Sequence, residues 1–482
     1  MMQNRLGRIL FKSYDAVPNE VDCTLEIVEG KCPEELKGIL YRNYPGLMER
    51  GGVYYGHPFD GDGMISKFEF VRGRIYYTNR MVRTDWFKAE EAAGRILFRN
   101  FGTNIPGGFL KNVFRFKFKN AANTSIVFHG EKLLALWEGG APHELNPATL
   151  DTTGIYDYQG VLLNRSLFKY ISGAHLPFSA HPAFDPHTGG MYNFGVYFGV
   201  KPELLLYRVD TKGEITLQQR VFLDSMGFMH DSGLTENWRV FFLCPLSFNI
   251  TQMILGLKPS IECAYFDKKR KTQIILIPRD GGEPVKMNTD PGFVFHFANA
   301  YEDEGGRIVI DGPLYDRFPE FIPVTGFAQY DFTRFPKMLM TRFIIDPGNR
   351  TVSNSLLSDY PAELPKINPG RKTHKHRYIW ASAASSKWAG PFLTGVSKID
   401  AEAGKTVFRD FSPNLTSEPM FVQRPGPGDE DNGWLILPLY VADEHNSDLL
   451  VLDASDLSTV CRARLPHNQP QGYHGSWVRA DK

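Results

Sequence analysis

Five times along this chain an apolar-x-apolar stretch ends in aspartate, turns through polar or glycine residues, and gives way to a second strand-like run. The segments are LYRVDTKGEIT, AYFDKKRKTQII, RFIIDPGNRTVS, VSKIDAEAGKTVF and LLVLDASDLSTV. Their turn-opening residues, Asp210, Asp267, Asp346, Asp400 and Asp453, are spaced 57, 79, 54 and 53 residues apart. Aspartate suits that position because its carboxylate accepts from the backbone N–H two residues on. A hairpin recurring with a period in the fifties narrows the choice of folds sharply. It is the repeat of a β-propeller, each blade of which is a four-stranded sheet. Spread over 482 residues, it gives about seven or eight units once insertions are allowed for. The 45 Gly and 32 Pro are dispersed as turn punctuation, with short β-branched and aromatic runs between them, such as 65–70, 126–137 and 274–277. The reading is all-β, with one large domain over 1–482, although length alone suggests about three domains.

Several classes of function fall away. Lys plus Arg number 54 and Asp plus Glu number 54, so the chain lacks the net basic charge that nucleic acid demands. The longest basic block, Lys268 to Lys271, follows Asp267 and reads as an exposed hairpin tip. Cys23, Cys32, Cys244, Cys263 and Cys461 form an odd, scattered set without a CxxC pair. That is neither a disulfide framework nor a zinc site, and it suits a reducing cytoplasm. No secretory leader is visible, and nowhere do about 18 apolar residues run together as a bilayer-spanning helix requires. P-loop, GxGxxG, GxSxG and HExxH motifs are absent. FDGDGM, from Phe59 to Met64, starts like a calcium loop but has Val71 where Glu is required, so a tight glycine turn is the better reading.

Histidine carries more information. His374 and His376 sit in the polar run RKTHKHR and read as solvated. His181 in FSAHPAFDP, His230 in GFMHDSG, His296 in VFHFANA and His474 in GYHGSW each lie in an apolar or aromatic segment beside small residues. A buried histidine satisfies both ring nitrogens by hydrogen bonds or by a metal. Any one of these is most simply a hydrogen-bonded core residue, yet four on different blades could meet at an axis. Glu138 in LLALWEGG, Glu363 in YPAELPK and Glu418 in LTSEPMF stand in similar apolar settings. Ligating histidines commonly donate their second N–H to a carboxylate, and these acids fit that role. Four neutral imidazoles with acids outside them suit ferrous iron better than the oxygen-seeking calcium or magnesium.

At these residues the sequence resembles the carotenoid cleavage oxygenase family, most of all its cyanobacterial apocarotenoid oxygenases. The likeness runs through GILYRNYPGLMERGG, HPFDGDGM, KNAANT, LLALWEGGAPHEL, SAHPAFDP, HDSGLTENW, IILIPRDGGE, GFVFHFANAYE, SEPMFVQRPG and HGSW. It implies a seven-bladed β-propeller with a helical and loop cap over an axial metal site. It also implies Fe(II) held by His181, His230, His296 and His474, with Glu138, Glu363 and Glu418 behind three of them. By the same resemblance Thr124 stands near an open iron position, and Trp137, Phe295 and Phe59 line the substrate tunnel. Tyr44 and Ser232 depart from the family pattern without touching a ligand position, and bear on packing or tunnel shape.

The activity so implied is that of an iron(II) dioxygenase. With dioxygen as co-substrate, it cleaves a conjugated C=C bond of a carotenoid or apocarotenoid into two aldehydes, retinal-type products among them. Two alternatives stand beside it: a stilbene- or phenylpropanoid-cleaving member of the family, and a non-catalytic isoprenoid-binding propeller. Stilbene-cleaving relatives carry Lys before the outer Glu, where this chain has the flat apolar Trp137. An apolar polyene partner raises the question of delivery. The segment FNITQMILGLKPSI, which begins at Phe248 and ends at Ile261, reads either as a monotopic membrane patch or as a helix buried against the propeller.

Overall fold

The computed structural model describes residues 2–480 apart from 168, 170–172, 200 and 386–390. The chain is mostly β. Its principal sheets are one of five strands, three of four, one of six and one of eight, with two small two-stranded ribbons beside them. Pairing between strands is antiparallel throughout these sheets. The eight-stranded sheet turns on one long strand, Thr351–Lys366. Its first part pairs with Met338–Asp346 and its last part with Tyr378–Ala383, so it serves two four-stranded halves.

Why the apolar runs are uninterrupted is plain from where alternate side chains go. Successive strand residues point to opposite faces, and a sheet covered on both faces needs apolar residues at every position. Leu204 and Leu206 face the sheet of Trp238–Leu243, whereas Leu205, Tyr207 and Val209 face that of Lys132–Leu136. Ile274 and Leu276 pack toward Ile308–Tyr315, and Ile275 and Ile277 the other way. Each sheet shares an apolar cluster with the next in sequence, and the two halves of the long sheet share one as well. The last sheet shares another with the first, where Trp434, Ile436 and Val451 meet Leu40, Phe68 and Phe70. Strands cross that same junction in both directions. Glu26–Gly30, near the start of the chain, pairs with Thr459–Arg464, while Gly475–Arg479, near its end, pairs with Gly38–Leu47.

The aspartate turns form as expected. Asp210 accepts from Lys212 N, Asp267 from Lys269 N, Asp400 from Glu402 N and Asp453 from Ser455 N, each at 2.8–3.1 Å. Asp346 accepts from Asn349 N, one residue further along. Four of the five join the third and fourth strands of a sheet or half-sheet. Asp267 does not: it follows an inserted ribbon, Leu246–Phe248 with Ala264–Phe266, which explains the irregular spacing. The run 126–137 is two strands rather than one, Ser125–His129 and Lys132–Leu136, turned by Gly130 and Glu131 at positive φ.

Outside the sheets, the N-terminal helix Met2–Lys12 packs Leu6 and Leu10 against Ile322, Val324, Phe327 and Phe392. A second helix, Asp85–Ala93, is capped by Thr84. It is pinned by a buried cluster in which Lys119 Nζ lies 2.6 Å from Asp62 and 2.7 Å from Glu90. Arg50 pairs with the same Asp62, so two cations meet two carboxylates. Asp60 accepts from Gly102 N and Thr103 Oγ1, so both aspartates of FDGDGM are engaged by the protein. His376 corrects the sequence reading. It is buried, with Nε2 3.0 Å from Asp311 and Nδ1 3.1 Å from Asn299, because the polar run feeds directly into the strand Tyr378–Ala383.

Candidate metal centre

The four singled-out histidines occupy equivalent places. His181 comes just before the edge strand Ala183–Phe184, His230 before Gly233–Leu234 and His474 before Gly475–Arg479. His296 lies between Phe293–Val294 and Asn299–Glu302, both at the edge of their sheet. Small residues follow each of them (Pro182 and Ala183, Ser232 and Gly233, Ala298, Gly475), so the backbone can bend from loop into strand without a side chain in the way. Ligand nitrogens from the four rings lie within 4.8 Å of one another. His181 Nε2 and His230 Nε2 stand 2.9 Å apart.

The other side of three rings is occupied. His230 Nδ1 is 2.5 Å from Glu138 Oε2, His296 Nδ1 is 2.6 Å from Glu363 Oε2, and His474 Nδ1 is 2.8 Å from Glu418 Oε1. An imidazole that donates Nδ1–H to a carboxylate presents Nε2 as a lone pair. His296 Nε2 is buried without any hydrogen-bond partner. His181 has no carboxylate partner among the described residues. Burial and the three neighbouring rings push His181 well below the ordinary histidine range, and burial pushes His474 down to about 3. Burial also presses on His296, but Glu363 more than offsets it and holds that ring above its ordinary value. Desolvation would raise Glu363 and Glu418. His296, backbone N–H and Tyr315 hold the first below the carboxylate range, and Lys366, His474 and Arg42 the second. Convergent imidazole nitrogens, one of them orphaned, backed by carboxylates, fit a divalent metal of borderline softness.

The remaining sequence candidates lie around this centre. The Thr124 carbonyl accepts from His474 N at 3.2 Å, and its hydroxyl donates to Asn123 Oδ1 at 3.1 Å. Trp137 directly precedes Glu138, and Gly139 lets its ring lie close, since a Cβ there would come 2.5 Å from Trp137 Cζ3. Phe295 stands edge-on to His230, ring centres 5.6 Å apart, and edge-on to Phe293 at 4.5 Å. Phe59 packs against Tyr473, the neighbour of His474, at 5.4 Å. Sequence reasoning missed Phe228, stacked on His230 at 5.9 Å, and Phe318, in contact with Phe293 at 4.8 Å. It also missed Arg42, Lys366 and Tyr315, which touch the carboxylates. The one available signal was an arginine and a lysine inside otherwise apolar stretches, GILYRNYPG and YPAELPK.

A centre of this make-up in a β-sheet protein marks a class, and comparison with known proteins agrees. Residues 14–479 match the sequence pattern of the retinal pigment epithelial membrane protein family, and the chain belongs to that family. It is 37% identical over 479 residues to the apocarotenoid-15,15'-oxygenase of Synechocystis sp., covering 97% of this chain and 96% of that one. The isoeugenol monooxygenase of Pseudomonas putida is 31% identical over 474 residues, covering 93% of each. The solved structure of a cobalt-substituted Synechocystis ACO superposes with a TM-score of 0.92 at 36% identity, covering 98% of this chain and 99% of that one.

Proposed function

We propose that this chain is a carotenoid cleavage oxygenase that takes an apocarotenoid, cuts one conjugated C=C bond and releases two carbonyl products. The convergence of four imidazoles, three of them backed by carboxylates, carries the reading, and the relative from Synechocystis supports it. His181, His230, His296 and His474 would hold ferrous iron, and Glu138, Glu363 and Glu418 would fix ring orientation and tautomer. Iron bound there would supply the activation of dioxygen.

The protein's own work is to bind, orient and exclude water. In the overall reaction the C=C and O=O bonds break and two C=O bonds form. No proton need move, so the reaction calls for no nucleophile–histidine pair. Trp137, Phe295 and Phe59, joined by Phe228 and Phe318, offer flat apolar surfaces to a polyene, and Thr124 stands beside His474. Phe59 and Thr124 are tied together, because Asn123 donates to the Phe59 carbonyl and accepts from the Thr124 hydroxyl.

The architecture in which we place this chemistry is a single domain, residues 1–482, built as a seven-bladed β-propeller. Seven apolar clusters between neighbouring sheets, one of them joining last to first, support that count. The N-terminal helix and the loops around Ile322 and Phe327 would form the cap. An apolar substrate would enter from a membrane surface. No described helix is long and apolar enough to cross a membrane. The helix Ile250–Ile254 buries none of its residues, which favours the patch over the buried helix. Phe114 N donates to Ile254 O, bringing the exposed Phe109, Leu110 and Phe114 beside it.

The phenylpropanoid reading comes second. The Pseudomonas relative favours it, while Trp137, which offers no charge to a phenol, counts against it. Purified protein should contain iron and cleave apocarotenals faster than isoeugenol or hydroxystilbenes, with products identified by mass spectrometry. His230→Ala should lose both iron and cleavage. Undiminished cleavage by an iron-free His230→Ala protein would sink the proposal, and the opposite substrate order would promote the second reading.

A further inference from the structure

The three carboxylates behind the histidines are not in equivalent surroundings. Glu138 is about one-third exposed and touches His230 alone among the described residues. Glu363 is buried and receives two neutral donors, Tyr315 Oη at 2.8 Å and Leu364 N at 2.6 Å. Glu418 is fully buried and is held by two cations, Arg42 Nη1 and Lys366 Nζ, each at 2.7 Å, together with Gly475 N at 2.9 Å. Arg42 is itself fully buried, and it also grips the Glu418 carbonyl at 3.2 Å and the Tyr473 carbonyl at 3.4 Å. Lys372 feels both Lys366 and the oppositely charged Asp231, which also acts on His296.

Charge counting gives these contacts a meaning. Three ionised carboxylates around a divalent ion sum to minus one, and Arg42 and Lys366 bring the sum to plus one. A trivalent ion would add a further positive charge beside two fixed cations, in surroundings far less screening than water. We propose that Arg42 and Lys366 are positioning residues that act through Glu418 to bias the bound iron toward its ferrous state. Two cations on one carboxylate weaken its pull on the His474 N–H, so His474 becomes the least electron-rich of the three backed rings. His230, behind the unshared Glu138, becomes the most electron-rich. This inference rests on the reading of the site as an iron centre.

The test is a redox titration of iron-loaded protein, following the high-spin ferric signal by electron paramagnetic resonance. Lys366→Met should raise the ferric-to-ferrous ratio at least tenfold at a fixed potential, about 59 mV for a one-electron couple. Lys366→Arg, which keeps the charge, should stay within about threefold of the parent. Lys366 is about one-third exposed, so its substitution leaves the buried packing intact. Should the Met variant not retain iron, Lys366→Gln serves in its place with the same expected ratio. A ratio within threefold of the parent in an iron-loaded neutral variant overturns this inference alone. A parent protein that cannot be loaded with iron overturns the functional reading and this one together.

Discussion

Arg42 reaches Glu418 only because the residue at 475 has no side chain. A Cβ on Gly475 would lie 2.6 Å from both Arg42 Cδ and the Tyr41 carbonyl. Gly475→Ala should therefore displace the arginine, and Glu363→Gln should strip its histidine of a charged partner. Both are expected to weaken iron binding by about 10–100-fold in chelator competition. His143 shows a different residue-scale cost. It is buried against Trp86 with neither ring nitrogen hydrogen-bonded, and burial pushes it down to about 4 from 6.5. Above pH 6.5 the ring is neutral whether folded or not. Between there and pH 4 only the unfolded chain takes up the proton, so acid removes about 3 kcal/mol of stability. His143→Leu should raise the thermal midpoint at neutral pH and flatten its fall on acidification. A parallel decline in both proteins would refute this. The histidines that converge were legible as residues in apolar settings. Their meeting was legible only through the repeat and the family resemblance, because it depends on edge strands far apart in sequence. His376 was misread because a segment's polarity does not say where its side chains go.

Strands here are two-faced, and that was readable from their unbroken apolar runs; which face meets which neighbour was not. Leu206 is buried between two sheets, in a cluster that contains no histidine of the centre. Leu206→Ala should cost about 2–5 kcal/mol in denaturant unfolding and leave iron per folded chain unchanged. Aspartate turns were legible because their chemistry is local. Their rank within a sheet was obscured where the ribbon Leu246–Phe248 with Ala264–Phe266 intervenes. That insertion carries the helix Ile250–Ile254, which a hydrogen bond from Phe114 N to the Ile254 carbonyl ties to the segment bearing the exposed Leu110 and Phe114. Leu110→Asp combined with Phe114→Asp should abolish flotation with liposomes while cleavage of detergent-dispersed substrate persists. Equal flotation would remove the membrane assignment.

Across the whole molecule the two ends of the chain hold each other. Removing residues 1–30 would strip Glu26–Gly30 from Thr459–Arg464 and expose an unpaired strand edge. That deletion should lower the thermal midpoint and promote aggregation on light scattering, yet leave iron content per soluble chain intact, because no ligand lies there. The opposite end is different in kind. Gly475–Arg479 closes the first sheet and is preceded at once by His474, so a single strand completes both the fold and the ring of imidazoles. This sets an order of events during synthesis. His181, His230 and His296 leave the ribosome well before His474, and a nascent chain can offer at most three of the four rings. Under the iron reading, the four-ring site therefore forms only once the strand after His474 has cleared the ribosome and paired with Gly38–Leu47.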